Sequence, residues 1–177
     1  MYFVKTNAGM EAIAEFDIEV LSDYELEPRR RTGGKPMPGL QHVLTQKNLV
    51  VELTVKYRRL YTALPEITLE MPENPDCVPD VAIYAASSIQ FEPDAIRMET
   101  MPLTTIEIMS PCQTDDELVA KTDRYFWAGV KSCWVVLPSF RAILVYSQSR
   151  KYQFFVEDST LTDPATGIEL AVSEIFR

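Results

Sequence analysis

The sequence predicts an α/β domain with a mixed central β-sheet flanked by helices. Three observations carry that expectation. Segments with a period of 3.6 and segments with a period of 2 follow one another in the order helix, strands, helix, strands. Residues 102–138, PLTTIEIMSPCQTDDELVAKTDRYFWAGVKSCWVVLP, read without a break as strand, turn, helix, strand. The run Trp134-Val135-Val136-Leu137 is apolar at every position, as a strand covered on both faces should be. A chain of 177 residues fits one domain able to bury its own core, here residues 1–177 with 1–38 as an N-terminal extension.

The elements follow in order. Phe16 to Val20 and Tyr24 to Leu26 are candidates for a short leading strand or hairpin edge. Pro28 to Gly39 is a Gly/Pro-rich loop carrying Arg29, Arg30, Arg31 and Lys35. A helix is expected from about Leu40 to Tyr61, with His42, Gln46, Leu49, Leu53, Tyr57 and Leu60 on the face toward the sheet. Leu44, Val51 and Val55 form a second apolar stripe on its other side, which either the N-terminal segment or a second copy of the chain would cover. Glu66 to Met71 alternates as a strand, and the Pro/Asn/Asp turn after it leads to Pro79-Asp80-Val81-Ala82-Ile83-Tyr84, so these two are expected to form a hairpin. Residues 86–102 are an irregular connection. Leu103 to Met109 is a strand that Ser110-Pro111 must end. Thr114 and Glu117 form a capping box ahead of a helix over Asp115 to Ala128, with Gly129 as its stop. Ser132 to Leu137 is a strand, Arg141 to Ser147 and Lys151 to Glu157 a terminal hairpin, and Val172 to Phe176 a last helical turn.

Within this plan three charges stand where apolar residues are expected. Glu107 lies between Ile106 and Ile108 in a sheltered strand. Lys121, three residues after Leu118 and four before Tyr125, lies on the inward stripe of its helix. Each is costly to bury alone, and the two could pair. An ordinary buried ion pair, or a lysine reaching past Tyr125 to water, would satisfy those two residues. Asp80 on the neighbouring strand is a third charge, one more than an ion pair needs. The surplus negative charge suggests a divalent cation held by hard oxygens, as Mg²⁺ or Mn²⁺ would be.

Asp80, then Glu107 in a later strand, then a lysine resembles the PD-(D/E)XK nuclease superfamily. The phrases GKPMPGLQH, LPEITLEM, VPDVAIY, PLTTIEIMSP, AGVKSCWVVLP and DPATGIELAVSEIF, in that order between Gly34 and Phe176, resemble its bacterial Uma-type restriction endonucleases. The resemblance implies a restriction-endonuclease-like core and metal-dependent hydrolysis of DNA. It implies that Asp80, Glu107 and the Ile108 carbonyl hold one or two Mg²⁺ ions and that a lysine orients water or stabilises phosphate charge. The superfamily's E-x-K lysine would fall at position 109, where this chain has Met109, so the resemblance further implies a migrated lysine, for which Lys121 fits. Acidic residues on the first helix are frequent in the superfamily, but Glu52 points roughly 80° off the inward stripe, leaving His42 as the site-proximal residue. A histidine opening a core stripe also serves as a structural hydrogen-bonder. A relative that keeps the fold and binds nucleic acid or protein without catalysis is the alternative, and a dimerising protein with a buried charge cluster is a third reading.

Charge opposes a polyanionic partner. A net charge of −9 and a pI near 4.7 repel nucleic acid as a whole. Two local groups, Arg30, Arg31 and Lys35 in the loop and Lys56 and Arg59 late in the first helix, could form a basic rim or simply a solvated surface. No helix-turn-helix or zinc-finger pattern is visible. Cys77, Cys112 and Cys133 are odd in number and scattered, and with the single histidine, His42, they lack zinc-site spacing. Reduced thiols, the absence of a secretory pattern among the first twenty residues and the absence of any membrane-length apolar run lead to an expected cytoplasmic setting.

Overall fold

The computed structural model describes residues 3–6, 9–12, 38–72, 75–110 and 113–177. Two compact units are present. In the first, residues 1–37, strands β1 (Phe3–Thr6) and β2 (Gly9–Ala12) pair antiparallel with Phe3 opposite Ala12. The expected leading strand at 16–26 and the loop residues Arg29, Arg30, Arg31 and Lys35 lie outside the described residues.

The second unit, residues 38–177, is built on a six-stranded sheet. Helix α1 (Leu40–Tyr57) precedes β3 (Tyr61–Pro65), β4 (Val81–Ala85) and β5 (Thr104–Ile108); helix α2 (Asp115–Trp127) leads to β6 (Ser132–Leu137), β7 (Ala142–Gln148) and β8 (Lys151–Val156). Strand order in the sheet equals chain order. Only β5 and β6 run parallel, because only they are joined by a helical crossover; every other neighbour is reached by a reversal and pairs antiparallel. A small antiparallel pair, β9 (Thr160–Thr162) and β10 (Glu169–Ala171), precedes the short helix α3 (Val172–Ile175). The sheet is mixed and helix-flanked, as expected.

Helix α2 has the ends its sequence specifies. Glu117 N–H donates to Thr114 Oγ1 and Thr114 N–H to Glu117 Oε2, completing the capping box. At the other end Gly129 takes a φ of 102°, its N–H donates to the Phe126 carbonyl, and Val130 N–H donates to that of Tyr125. This is a Schellman closure, and its left-handed residue is why a glycine stands there.

Two expectations fail. Helix α1 stops at Tyr57 rather than near Tyr61, and Leu60, placed on its inward stripe by periodicity, is 62% exposed. The aromatic and β-branched residues that follow it begin strand β3 instead. Glu66 to Met71 is not a strand: the partner of β4 is β3, with Leu64 opposite Ala82. Glu66 adopts a φ of 51°, which turns the chain out of the ladder immediately after Pro65. Leu69 and Met71 still face the core, and Leu69 makes single bridges to Cys77 and Met98.

Alternation along the strands divides the core into two layers. Val81, Ile83, Ile106, Ile108, Trp134 and Val136 pack on Leu49 and Leu53 of α1 and on Leu161, Ile168, Leu170 and Ile175 from the C-terminal segment. The opposite faces, including Ala82, Tyr84, Cys133 and Val135, pack on Leu118 and Tyr125 of α2 and on Leu69 and Met71. The Cys133 thiol is pushed up to about 12, mainly by burial, and is inert; Cys77 and Cys133 are both free thiols.

Asp163 pins the C-terminal segment to this sheet. Fully buried, its Oδ2 accepts from Thr104 Oγ1 at 2.9 Å, Ser132 Oγ at 2.8 Å and Trp134 Nε1 at 3.1 Å, and its Oδ1 from Ala165 N–H at 2.9 Å. Thr104 and Ser132 start strands β5 and β6, and Trp134 follows two residues into β6, so one carboxylate ties the entry ends of the parallel pair to the β9–β10 turn. Asp163→Ala, which strands buried donors, is expected to cost about 3 kcal/mol, measured by urea denaturation at neutral pH.

Candidate active site

The site lies where β5 ends. Glu107 is the fourth residue of β5, on the face toward α2, and is 1% exposed. Lys121 projects from the second turn of α2 and its Nζ reaches Glu107 Oε2 at 2.7 Å, with a second bond to the Val78 carbonyl at 3.2 Å. One turn further on, Tyr125 donates its hydroxyl to Glu107 Oε1 at 2.6 Å. The spacing of four residues places both donors on one helix face.

Asp80 sits immediately before β4 and is 2% exposed. Its Oδ2 accepts from the Ile108 N–H at 2.7 Å, a bond that joins the entry of β4 to the end of β5 beyond their last paired residues. His42, in the first turn of α1 and itself buried, brings Nε2 to 3.4 Å from Asp80 Oδ1 while its Nδ1 lies 3.1 Å from Ser110 Oγ. Gln46, one turn along, donates to the Asp80 carbonyl at 2.9 Å. The Met109 N–H bonds to Val136 in β6, so the amide and carbonyl of Ile108 both leave β5 on the Asp80 side.

The charges are out of balance. Burial pushes the Glu107 carboxyl up, and the nearby Asp80 adds to the rise; the Lys121 ammonium and the bonds from Lys121 and Tyr125 pull it only part of the way back. For Lys121 burial acts downward, but the Glu107 charge, its hydrogen bond and Asp80 outweigh it, and the ammonium ends above its ordinary value. The two directions agree with exposure: the lysine side chain keeps 22% of its surface in water, the glutamate side chain 2%. Burial also raises the Tyr125 hydroxyl well above its usual value, with Glu107 adding to the effect, so Tyr125 serves as a donor.

Sequence reasoning therefore found Asp80, Glu107, Lys121 and His42, and the structure brings them together around Ile108. It missed Tyr125, Gln46 and Ser110. The K-x-x-x-Y spacing on an inward stripe was a usable signal for Tyr125, and Gln46 lay on the expected inward stripe one turn after His42; nothing local marked Ser110. Glu52, although buried, belongs elsewhere, bonded to Arg177 at 2.9 Å and to Lys56 at 3.3 Å. Lys56 is thus paired and lies fourteen residues beyond His42, about 21 Å along α1, with exposed Arg59 just past the helix end. Neither residue borders the acids. Arg30, Arg31 and Lys35 lie outside the described residues.

Among the described residues no three His, Cys, Asp or Glu side chains converge as a ready set of metal ligands. The donors present nevertheless suit a hard cation: two carboxylates and a strand carbonyl turned to the same side. A cavity of about 370 Å³ adjoins this centre, lined by His42 and Ser110 together with Leu40, Met109, Leu137 and Phe140; Asp80 and Glu107 do not line it.

A family model described as "Uma2: Putative restriction endonuclease" matches residues 24–173. The chain belongs to the Uma2 family. Asp80, Glu107, Lys121 and His42 all fall within the matched stretch, so the centre is part of the Uma2 domain. A solved structure, titled as a putative nuclease from Anabaena variabilis ATCC 29413, is similar to this Uma2 chain with a TM-score of 0.70 and 24% identity, covering 81% of this chain and 84% of that one. That likeness establishes the fold. No curated protein matches the chain.

Removing the ammonium tests the charge balance. A carboxyl held above its ordinary value favours folding when protonated, a contribution full below that value and lost as pH rises through the raised one. In Lys121→Met the Glu107 carboxyl loses its main lowering influence and rises further. The variant is expected to be less stable than wild type by about 3 kcal/mol at neutral and alkaline pH. The deficit should shrink as pH falls toward 4.5, the ordinary value of the group. Denaturant melts across pH read this directly, and a deficit independent of pH would contradict it.

Proposed function

We propose that this Uma2 domain is a metal-dependent nuclease that hydrolyses phosphodiester bonds in DNA, with Asp80, Glu107 and Lys121 as its catalytic residues. The observation that carries the reading is the convergence of two buried carboxylates and one ammonium, with Lys121 Nζ 2.7 Å from Glu107, at the end of a central strand. Asp80 and Glu107, with the Ile108 carbonyl, would hold one or two Mg²⁺ or Mn²⁺ ions. A cation there supplies charge neutralisation at the scissile phosphate and a bound water of lowered pKa. Lys121 holds its ammonium at the edge of the centre on Glu107 and the Val78 carbonyl, where it would orient the attacking water and stabilise charge building on the phosphate oxygens. His42 holds Asp80 through Nε2, and Tyr125 holds Glu107, so both carboxylates are oriented before a metal arrives.

A second reading, a nuclease-fold protein that binds nucleic acid or protein without cutting, is favoured by the depth of the acids and by the engagement of both Glu107 oxygens. Nicking of supercoiled plasmid with Mg²⁺ or Mn²⁺ separates the two. Wild type is expected to nick, while Asp80→Ala, Glu107→Ala and Lys121→Ala each lose at least a hundredfold in rate. Saturating Mn²⁺ is expected to raise the melting temperature of wild type by several degrees, a binding linkage of about 3 kcal/mol at a hundred times Kd, and to leave Asp80→Ala unchanged. No nicking and no thermal shift would remove the nuclease reading.

We further propose a homodimer in a cytoplasmic setting. Cys77 and Cys133, both free, suit a reducing compartment, and no helix among the described residues is long and apolar enough to cross a membrane. On α1, Leu44, Val51 and Val55 are 42%, 44% and 72% exposed, and a second copy covering this stripe would bury them. Light scattering should give twice the chain mass for wild type and a monomer for Val51→Glu; a monomeric wild type would end this part of the proposal.

A further inference from the structure

The cavity beside the acids has a character of its own. It opens at the carboxyl ends of the one parallel strand pair, between the first turn of α1, the turn that follows β5 and the single 3₁₀ turn, Pro138–Phe140, that follows β6. That is where open α/β sheets take ligands. Its walls are mainly apolar, from Leu40, Met109, Leu137 and Phe140, and among the described residues no lysine or arginine lines it. Polar side chains come from Gln41, His42, Ser110 and Ser139, and of these His42 and Ser110 also reach the acid centre through the 3.4 Å contact of His42 with Asp80. Phe140 presents an aromatic ring that is 74% exposed, and Leu40 opposite is 75% exposed.

We propose that this cavity receives one unpaired nucleobase next to the scissile phosphate, so that the substrate is single-stranded nucleic acid or a locally unpaired nucleotide. The assignment rests on the nuclease reading and narrows its substrate. A base offers two flat apolar faces and a polar rim, and the cavity offers an exposed ring, aliphatic walls and a few hydrogen-bonding groups. At 370 Å³ it lies near the lower end of the roughly 300–1,000 Å³ range of small-molecule sites, and a base still stacked and paired in a duplex cannot enter it.

Charge argues in the same direction. Affinity for a duplex comes chiefly from phosphate neutralisation by clustered cations. This chain carries a net charge of −9, no lysine or arginine among the described residues lines the cavity, and Lys56 and Arg59 stand at the far end of α1. Stacking and apolar contact are what the site has available, and they act on an exposed base rather than on a duplex backbone.

The test measures binding and cutting separately. Binding of a fluorescein-labelled single-stranded oligonucleotide and of the duplex with the same sequence is followed by anisotropy in EDTA. Cleavage of both is followed with Mn²⁺. Wild type is expected to bind and to cut the single strand about tenfold or more in preference to the duplex. Phe140→Ala and Leu40→Ala, both surface changes that spare the core, are each expected to weaken single-strand binding about tenfold and to raise KM with little effect on kcat. Glu107→Ala should bind the single strand as wild type does without cutting it. If wild type binds with these preferences yet cuts nothing, the base pocket stands and the nuclease reading alone fails. A duplex bound as well as the single strand, no binding of either, or unchanged single-strand binding by both Phe140→Ala and Leu40→Ala overturns the pocket, whatever the cleavage result.

Discussion

Everything at the centre of this domain follows from placing a carboxylate on a strand that is buried at every position. Glu107 is flanked by β4 and β6 and roofed by α2, so it has lost its water. Burial on that scale costs several kcal/mol unless donors replace the lost hydration. The chain provides two from a single helix, Lys121 and Tyr125, one turn apart. The docking of α2 is therefore coupled to the charge state of a strand residue, and its firm ends, a capping box and a Schellman closure, fix the helix in the position those bonds require. The remaining imbalance, which Asp80 enlarges, leaves Glu107 short of full compensation. A cluster of this kind is a poor device for stability and a good one for attracting a small cation.

The opposite flank is organised by Asp80. Its carboxylate takes the Ile108 amide in place of a strand partner, and its carbonyl takes Gln46, so α1, β4 and β5 meet at one residue. Asp163 does a comparable job at the other end of the parallel pair, where it gathers Thr104, Ser132 and Trp134. The two aspartates differ in their surroundings. Asp163 is surrounded by neutral donors, while Asp80 faces a histidine and lies close enough to Glu107 to raise it. One location holds a segment in place with neutral donors; the other brings two buried carboxylates near each other.

Much of this was legible in the sequence because charges on apolar stripes are conspicuous. Glu107 between two isoleucines and Lys121 between Leu118 and Tyr125 are anomalies that periodicity exposes, and the capping box and Gly129 located the helix that joins them. The mixed sheet was legible from the order of elements. Strand β3 was not, because its alternation is weak and Glu66 breaks the ladder through a backbone angle that no composition rule anticipates. The contributions of Gln46 and Ser110 were hidden for another reason: they depend on how α1 and the end of β5 approach, which is a property of packing. The acidic composition was read as an argument against any polyanionic partner, and Lys56 and Arg59, which stand away from the acids, do not offset it.

Two of the three cavity walls come from short connections, the residues after β5 and the 3₁₀ turn after β6, whereas the acids and the lysine are anchored beside or on strands and a helix. Connections accept insertions and replacements that a sheet does not. If the proposed base pocket and catalytic groups hold, a lineage built on this scaffold could reshape its choice of substrate by editing a few loop residues while the acids and the lysine stay fixed.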